Sequence, residues 1–332
     1  MANAHCKATS IYVADRSQGN KTMLHTRHIA LLLLTLATCA RLSAQQEVMI
    51  SQYMFNGLLL NPAYAGTHGY ISSSLLHRSQ WVQVDGAPRT SVLAVDGPVM
   101  NERMGLGLSI VHDRIGISRE LDMSAHYAYH LKLGERSKLS LGLRAGLSLY
   151  SAQFTDLVYW DNNDQVYQSN INNAPVGRFG FGAYWYNATS FVGLSIPTIV
   201  AADGKITPAV GDALDHYYTQ HYYLHAGKVF PLSESFDIKP STLIKYLPNA
   251  PAQADINCNL LYRELVWFGV GYRTGDAFVG MVEFQISPQI RAGYAYDMST
   301  SQLRTYTSGS HEVMLGIDFG RDLIKIKTPR YF

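Results

Sequence analysis

The sequence predicts an all-β chain: a transmembrane antiparallel β-barrel of about 14 strands, led in by a short apolar segment. Three observations predict it. Apolar and small polar residues alternate with strict period two over long runs, which is the signature of a strand. No stretch after residue 44 reaches 18 consecutive apolar residues, so no helix there is suited to span a bilayer. The long connections between candidate strands also fall on one side and the short ones on the other, as in outer-membrane barrels.

Taken in chain order, residues 1–44 read as a processing signal. "LHTRHIALLLLTLATCARLSA" has a basic start, an apolar run from Ile29 to Ala37 and a small-residue exit at Ser43-Ala44. Met23 is a plausible start, which makes Met1–Thr22 an extension ahead of the leader. Removing residues 1–44 leaves 22 basic against 24 acidic residues, so no basic field for nucleic acid remains. Cys6 and Cys39 precede the cut, and Cys258 alone cannot form an intrachain disulfide.

Residues 45–69 form a lead-in unit ahead of the barrel at 70–332. Its "SQYMFNGLLLNPAYAG" has neither helix nor strand period. Ser51 is placed to cap a short helix running toward Leu60, and Pro62 ends that helix at Asn61. On a barrel such a segment has two homes. It tucks into the lumen as a plug, or it lies against a partner. A 14-strand lumen lies between the side-chain-filled eight and the open sixteen, so it has room for a plug.

The strands follow. "SKLSLGLRAGLSLY" puts Leu139, Leu141, Leu143, Ala145, Leu147 and Leu149 on one face. Ser140, Gly142, Arg144, Gly146 and Ser148 fall on the other. "LDMSAHYAYHLKL", "MGLGLSI" and "EVMLGIDF" repeat the pattern. The Leu and Tyr faces suit lipid, and the small polar faces suit a crowded or curved lumen. Candidate strands lie near 70–77, 89–96, 104–112, 119–133, 137–150, 177–186 and 190–197. The second half adds 217–229, 236–247, 252–263, 265–272, 277–286, 288–297 and 311–320. The longest connections, 151–176, 198–216 and 298–310, all follow odd-numbered strands. With the amino terminus in the periplasm they face outward, which places the protein in the cell outer membrane with extracellular long loops. Tyr150, Tyr159-Trp160, Tyr184-Trp185-Tyr186, Tyr217-Tyr218 and Tyr222-Tyr223 are candidates for interfacial girdles.

Catalytic and cofactor motifs are missing. His126 with His130, and His221 with His225, have a spacing that shares a metal on a helix. In a strand four residues span about 13 Å, too far for one ion. No HExxH, CxxC or phosphate loop occurs. The Asp161–Asn173 run is loop chemistry without the EF-hand spacing, and Asn187-Ala188-Thr189 is a chance acceptor match in a turn. No catalytic residue, cofactor or metal is therefore assigned.

"SQYMFNGLLLNPAYAG", "HRSQWVQVDGAPRTSVLAVDGPV", "GLGLSIVHDRIG" and "HEVMLGIDFG" together resemble the PorP/SprF family, over the whole chain after the leader. The matching positions are Gln52, Tyr53, Asn61, Pro62, Ala63, Tyr64, Gly66, Arg78, Gln80, Trp81, Pro88, Asp113 and Gly116. The resemblance implies a non-enzymatic outer-membrane barrel of the type IX secretion system. It also implies as partners the periplasmic ring or lipoprotein subunits of that system, and exported surface proteins or gliding adhesins. It supplies no catalytic residues.

Gln52, Tyr53, Asn61, Pro62, Tyr64 and Gly66 are the partner or plug candidates, and Arg78, Gln80, Trp81 and Asp113 the outer-loop candidates. An Arg78–Asp113 contact across the mouth is expected, because connected strands are neighbours. Two other functions fit the same barrel: a passive channel or hydrophobic-solute transporter, and a hydrolase with a Ser/His pair at the rim. An open polar lumen marks the channel. A lumen filled by residues 47–66 marks the anchor.

Overall fold

The computed structural model describes residues 48–156, 170–203, 220–248 and 250–320. The leader, Tyr159, Trp160, Tyr217, Tyr218 and most of the Asp161–Asn173 run lie outside them. One antiparallel sheet closes on itself. Its strands are β1 (Ile71–Ser79), β2 (Arg89–Val99), β3 (Met104–Ile115), β4 (Ser118–Leu133) and β5 (Ser137–Ala152). Next come β6 (Ile171–Asn187), β7 (Ser190–Asp203), β8 (Tyr222–Lys228), β9 (Phe230–Pro231) and β10 (Phe236–Tyr246). β11 (Gln253–Tyr262), β12 (Val266–Arg273), β13 (Ala277–Gln285), β14 (Ile290–Ser299) and β15 (Ser310–Phe319) complete the ring.

Sequence neighbours pair throughout, and β15 closes on β1 in a register from Ile71↔Phe319 to Ser79↔His311. Closure is what a bilayer demands, since an open edge would leave backbone groups unpaired in hydrocarbon. β8 and β9 are two pieces of one wall strand. Their register on β10 runs unbroken, from Ser241↔Gly227 to Ile238↔Phe230. Pro240 falls opposite Lys228, the residue just before the gap, and has no N–H to give to the ladder. Val229 donates its own N–H to Thr189 on the other side at 2.7 Å. The barrel is therefore 14-stranded, as predicted.

The alternation sets the two faces. Leu106, Leu108 and Ile110 on β3, and Leu141, Leu143 and Leu147 on β5, point out and are exposed. Ser140, Arg144 and Ser148 point in and are buried. The same parity corrects the girdle expectation. Tyr184 and Tyr186 share the inward face with Gly182, and Tyr223 also faces the lumen; all are buried. Of that set Tyr222 is an exposed aromatic. β7 continues to Asp203, beyond the predicted end at Pro197, because a register shift between Phe179 and Phe181 on its partner absorbs the proline.

One end of the barrel, the turn end, carries connections 100–103, 134–136, 188–189, 232–235, 263–265 and 286–289. In the 188–189 turn Asn187 Oδ1 accepts from the N–H of Thr189 and Ser190. The other, the loop end, carries 80–88, 153–170, 204–221 and 300–309, among shorter ones.

Residues 48–70 run inside the ring. The expected short helix is instead three 3-10 turns, Tyr53–Phe55, Gly57–Leu59 and Pro62–Tyr64. Ser51 does not cap a helix, because its hydroxyl is engaged by the wall. Pro62 starts the third turn rather than ending a helix, with Asn61 Oδ1 accepting from Ala63 N at 2.9 Å. Several inward glycines are where this backbone rests. A side chain at Gly105 would strike Ala65, at Gly142 Ala63, and at Gly182 Asn61. A Gly142→Val change is expected to lift the third turn and destabilise the barrel by about 1–3 kcal/mol, read as a lower melting temperature in detergent. The same change at Gly280, where an added Cβ meets open space, should be near neutral.

Candidate functional site: a filled lumen

The segment is fixed at both ends. Near the loop end Glu312 accepts two successive backbone N–H groups, from Ser51 and from Gln52, each at 2.8 Å. The Ser51 hydroxyl donates to Asp297 at 2.7 Å. Arg78 donates to Ser51 Oγ at 3.0 Å, to Glu312 at 3.1 Å and to Asp297 at 2.8 Å. Arg273 joins Asp297 at 3.1 Å and Asp255 at 3.2 Å, and Lys245 joins Asp255 at 3.0 Å. Apart from Lys245, which is partly exposed, the groups of this latch are almost wholly buried. Charges held out of water survive only when paired and hydrogen-bonded, and here each carboxylate meets at least one cation.

In mid-lumen Tyr53 Oη accepts from Asn257 at 2.6 Å, and Asn56 donates to Ser74 at 2.8 Å. Asn61 donates to the carbonyls of Ala183 at 3.1 Å and Leu194 at 3.2 Å. Tyr64 packs edge-on against Tyr184, with centroids 5.7 Å apart, and bonds His68 at 3.1 Å. At the turn end Gly66, at φ 73°, donates its N–H to Asp96 at 2.7 Å. That positive φ suits glycine, and Gly105 of the wall presses against it.

Thus Gln52, Tyr53, Asn61, Pro62, Tyr64 and Gly66 all stand in the lumen. The outer-loop set divides. Gln80 and Trp81 lie in the 80–88 connection, where Trp81 N donates to Ser310 at 3.1 Å. With Asp85, Arg89 and Arg114 they line a cleft of about 320 Å³ at the loop end. Arg78 and Asp113 are not loop residues. Both sit on strands, β1 and β3, and both point inward. They do not meet: Arg78 binds Asp297 and Glu312, and Asp113 accepts from Thr90. Closure explains the error, since it gives Arg78 neighbours on β14 and β15 that lie far away in sequence.

Sequence reasoning missed a second buried network. Arg144 pairs with Asp122 at 2.7 Å, and Arg178 with Asp122 at 3.1 Å and Glu120 at 3.4 Å. The available signal was a charge at an inward position of a long strand. His126 and His130 are inward too, bonded to Ser109 at 2.9 Å and Tyr186 at 3.4 Å.

Several solved outer-membrane barrels are similar to this chain. Omp33 of Acinetobacter baumannii shares 9% identity over 76% of this chain and 100% of that one, with a TM-score of 0.45. A FadL homologue of Pseudomonas aeruginosa shares 11% over 83% and 96%, at 0.42. Outer membrane phospholipase A from Escherichia coli shares 10% over 74% and 91%, at 0.37. At these values none of them bears on function. No curated protein matches the chain in sequence. The sequence profile of the type IX secretion system membrane protein PorP/SprF family matches residues 42–317, and the chain belongs to that family of outer-membrane proteins.

Proposed function

We propose that this type IX secretion component is non-enzymatic and works by holding other proteins, assisting export or surface anchoring of secreted proteins or gliding adhesins. The observation that carries the reading is the filled lumen. Residues 48–70 touch strands around the whole ring, from Asp297 and Glu312 to Ala183 and Leu194. A barrel occupied in this way is poorly suited to pass solute, which disfavours the channel or transporter reading. What it offers partners is its two rims. An exported surface protein meets the loop end, which faces outward, at Gln80, Trp81 and the long connections. Periplasmic ring or lipoprotein subunits meet the turn end, where Glu102, Lys132, Glu135, Arg136 and Lys138 line a cleft of about 620 Å³.

A rim hydrolase is also disfavoured. The Ser109–His126 pair is buried, with His126 Nδ1 unpartnered among the described residues; the exposed His77, 3.0 Å from Ser91, turns its other ring nitrogen to the Ser79 hydroxyl, so in neither pair does an acid orient the imidazole.

Affinity purification of the native barrel in mild detergent, with mass spectrometry of what stays bound, tests the proposal. Secretion subunits or a large surface protein should co-purify. A barrel recovered alone that conducts ions in a planar bilayer would overturn it.

A further inference from the structure

The lead-in segment enters β1 at the turn end, yet its other end lies at the loop end. The depth of each contact gives the path. Gly66 meets Asp96, Gly97 and Gly105, which flank the 100–103 turn. Leu58 rests on Gly107 and Asn56 on Ser74, farther from that end. Ser51 then meets Arg78, the last residue but one of β1, and Asp297 and Glu312, which flank the 300–309 connection. Met49 Sδ accepts from Lys245, next to the 247–252 connection, at 3.3 Å. Val48 is exposed.

We infer that the chain threads its own barrel from loop end to turn end, so that the amino-terminal end of the lead-in segment is presented at the loop-side mouth. Two physical points favour a threaded path over a loosely tucked one. The first contacts lie beside the 300–309 connection and the last beside the 100–103 turn, with those of Asn56 and Leu58 between them. Each end is also held by acidic side chains: Glu312 and Asp297 at one, Asp96 at the other. Threading gives the loop-side rim a further element, Val48-Met49, on the same rim as the exported partner's proposed surface.

Only the exposure of that mouth to the cell exterior rests on the orientation proposed above, and labelling separates the two. Single cysteines are placed at Val48, at Asp85 in the 80–88 loop and at Glu135 in the 134–136 turn, in a Cys258→Ser background. Intact cells are treated with a membrane-impermeant maleimide. Val48→Cys should label with Asp85→Cys, about tenfold above Glu135→Cys. Met49→Cys serves as a second reporter should the first variant fail to assemble. Val48→Cys and Met49→Cys labelling with Glu135→Cys, or remaining unlabelled where Asp85→Cys reacts, would overturn the inference. Glu135→Cys reacting in place of Asp85→Cys would instead overturn the orientation. Threading would then still require both reporters to follow Asp85→Cys when cells are opened.

Discussion

An Arg78→Ala barrel is expected to be less stable than wild type by about 3–5 kcal/mol. The loss comes from stranded charge rather than from a missing contact. Arg78 is the cation shared by Asp297 and Glu312, at 2.8 and 3.1 Å. Without it Asp297 keeps Arg273, but the Glu312 carboxylate keeps only the two backbone N–H groups of the lead-in segment among the described residues. A buried carboxylate without a cation must be solvated or protonated, and either route loosens the latch. Thermal unfolding in detergent, or loss of heat-modifiable mobility on a gel, measures the effect. Arg78→Lys should recover part of it, because a lysine restores the charge but not the fork that reaches three partners. An Arg78→Ala barrel as stable as wild type would show that the latch carries little.

Deleting residues 48–60 is expected to raise single-channel conductance by about tenfold or more, since a 14-strand wall without a plug encloses a lumen near the size of open porins. The deletion keeps Asn61–Gly66, so the turn-end contacts to Asp96 and Gly142 stay. It removes the lead-in residues that meet Glu312, Asn257 and Ser74. The lining exposed would carry charge, with Arg78, Arg273, Asp297 and Glu312 near its loop end. Wild-type protein should be close to silent in the same bilayer. A deletion variant that folds and stays silent would place the barrier elsewhere, in the loops.

The fold was largely legible because period two is a local property. Leu139 to Leu149 against Ser140 to Ser148 reads the same in the sequence and in the wall. Strand ends were less legible: β6 begins at Ile171 rather than near 177, where "INNAP" hides the pattern. The lead-in segment was visible only as something out of register, and its position came from its order, since it directly precedes β1.

The candidate site was legible by residue and not by partner. Gln52, Tyr53 and Asn61 stood out, but their partners Glu312, Asn257 and Leu194 lie more than a hundred positions away. Arg78 reads as a loop residue in the sequence because "HRSQW" offers no apolar alternation to hold it in a strand. Its parity with Ser74 and Leu76, both buried, was the missed clue. Tyr184 and Tyr186 read as interface residues on residue type alone, where counting parity from Gly182 turns them inward.

The proposed function rests most directly on the lead-in segment filling the lumen in the native membrane. A disulfide between segment and wall tests that: Asn56→Cys with Ser74→Cys, in a Cys258→Ser background, the native side chains being 2.8 Å apart. Ser74→Cys with Ala94→Cys, opposite neighbours on β1 and β2, is the control. Membranes are oxidised gently, and the remaining thiols are counted by the gel shift of a polymer-linked maleimide. A filled lumen predicts that both pairs lose their thiols to a similar extent. A control pair that bridges while the Asn56→Cys and Ser74→Cys thiols both stay free would contradict it.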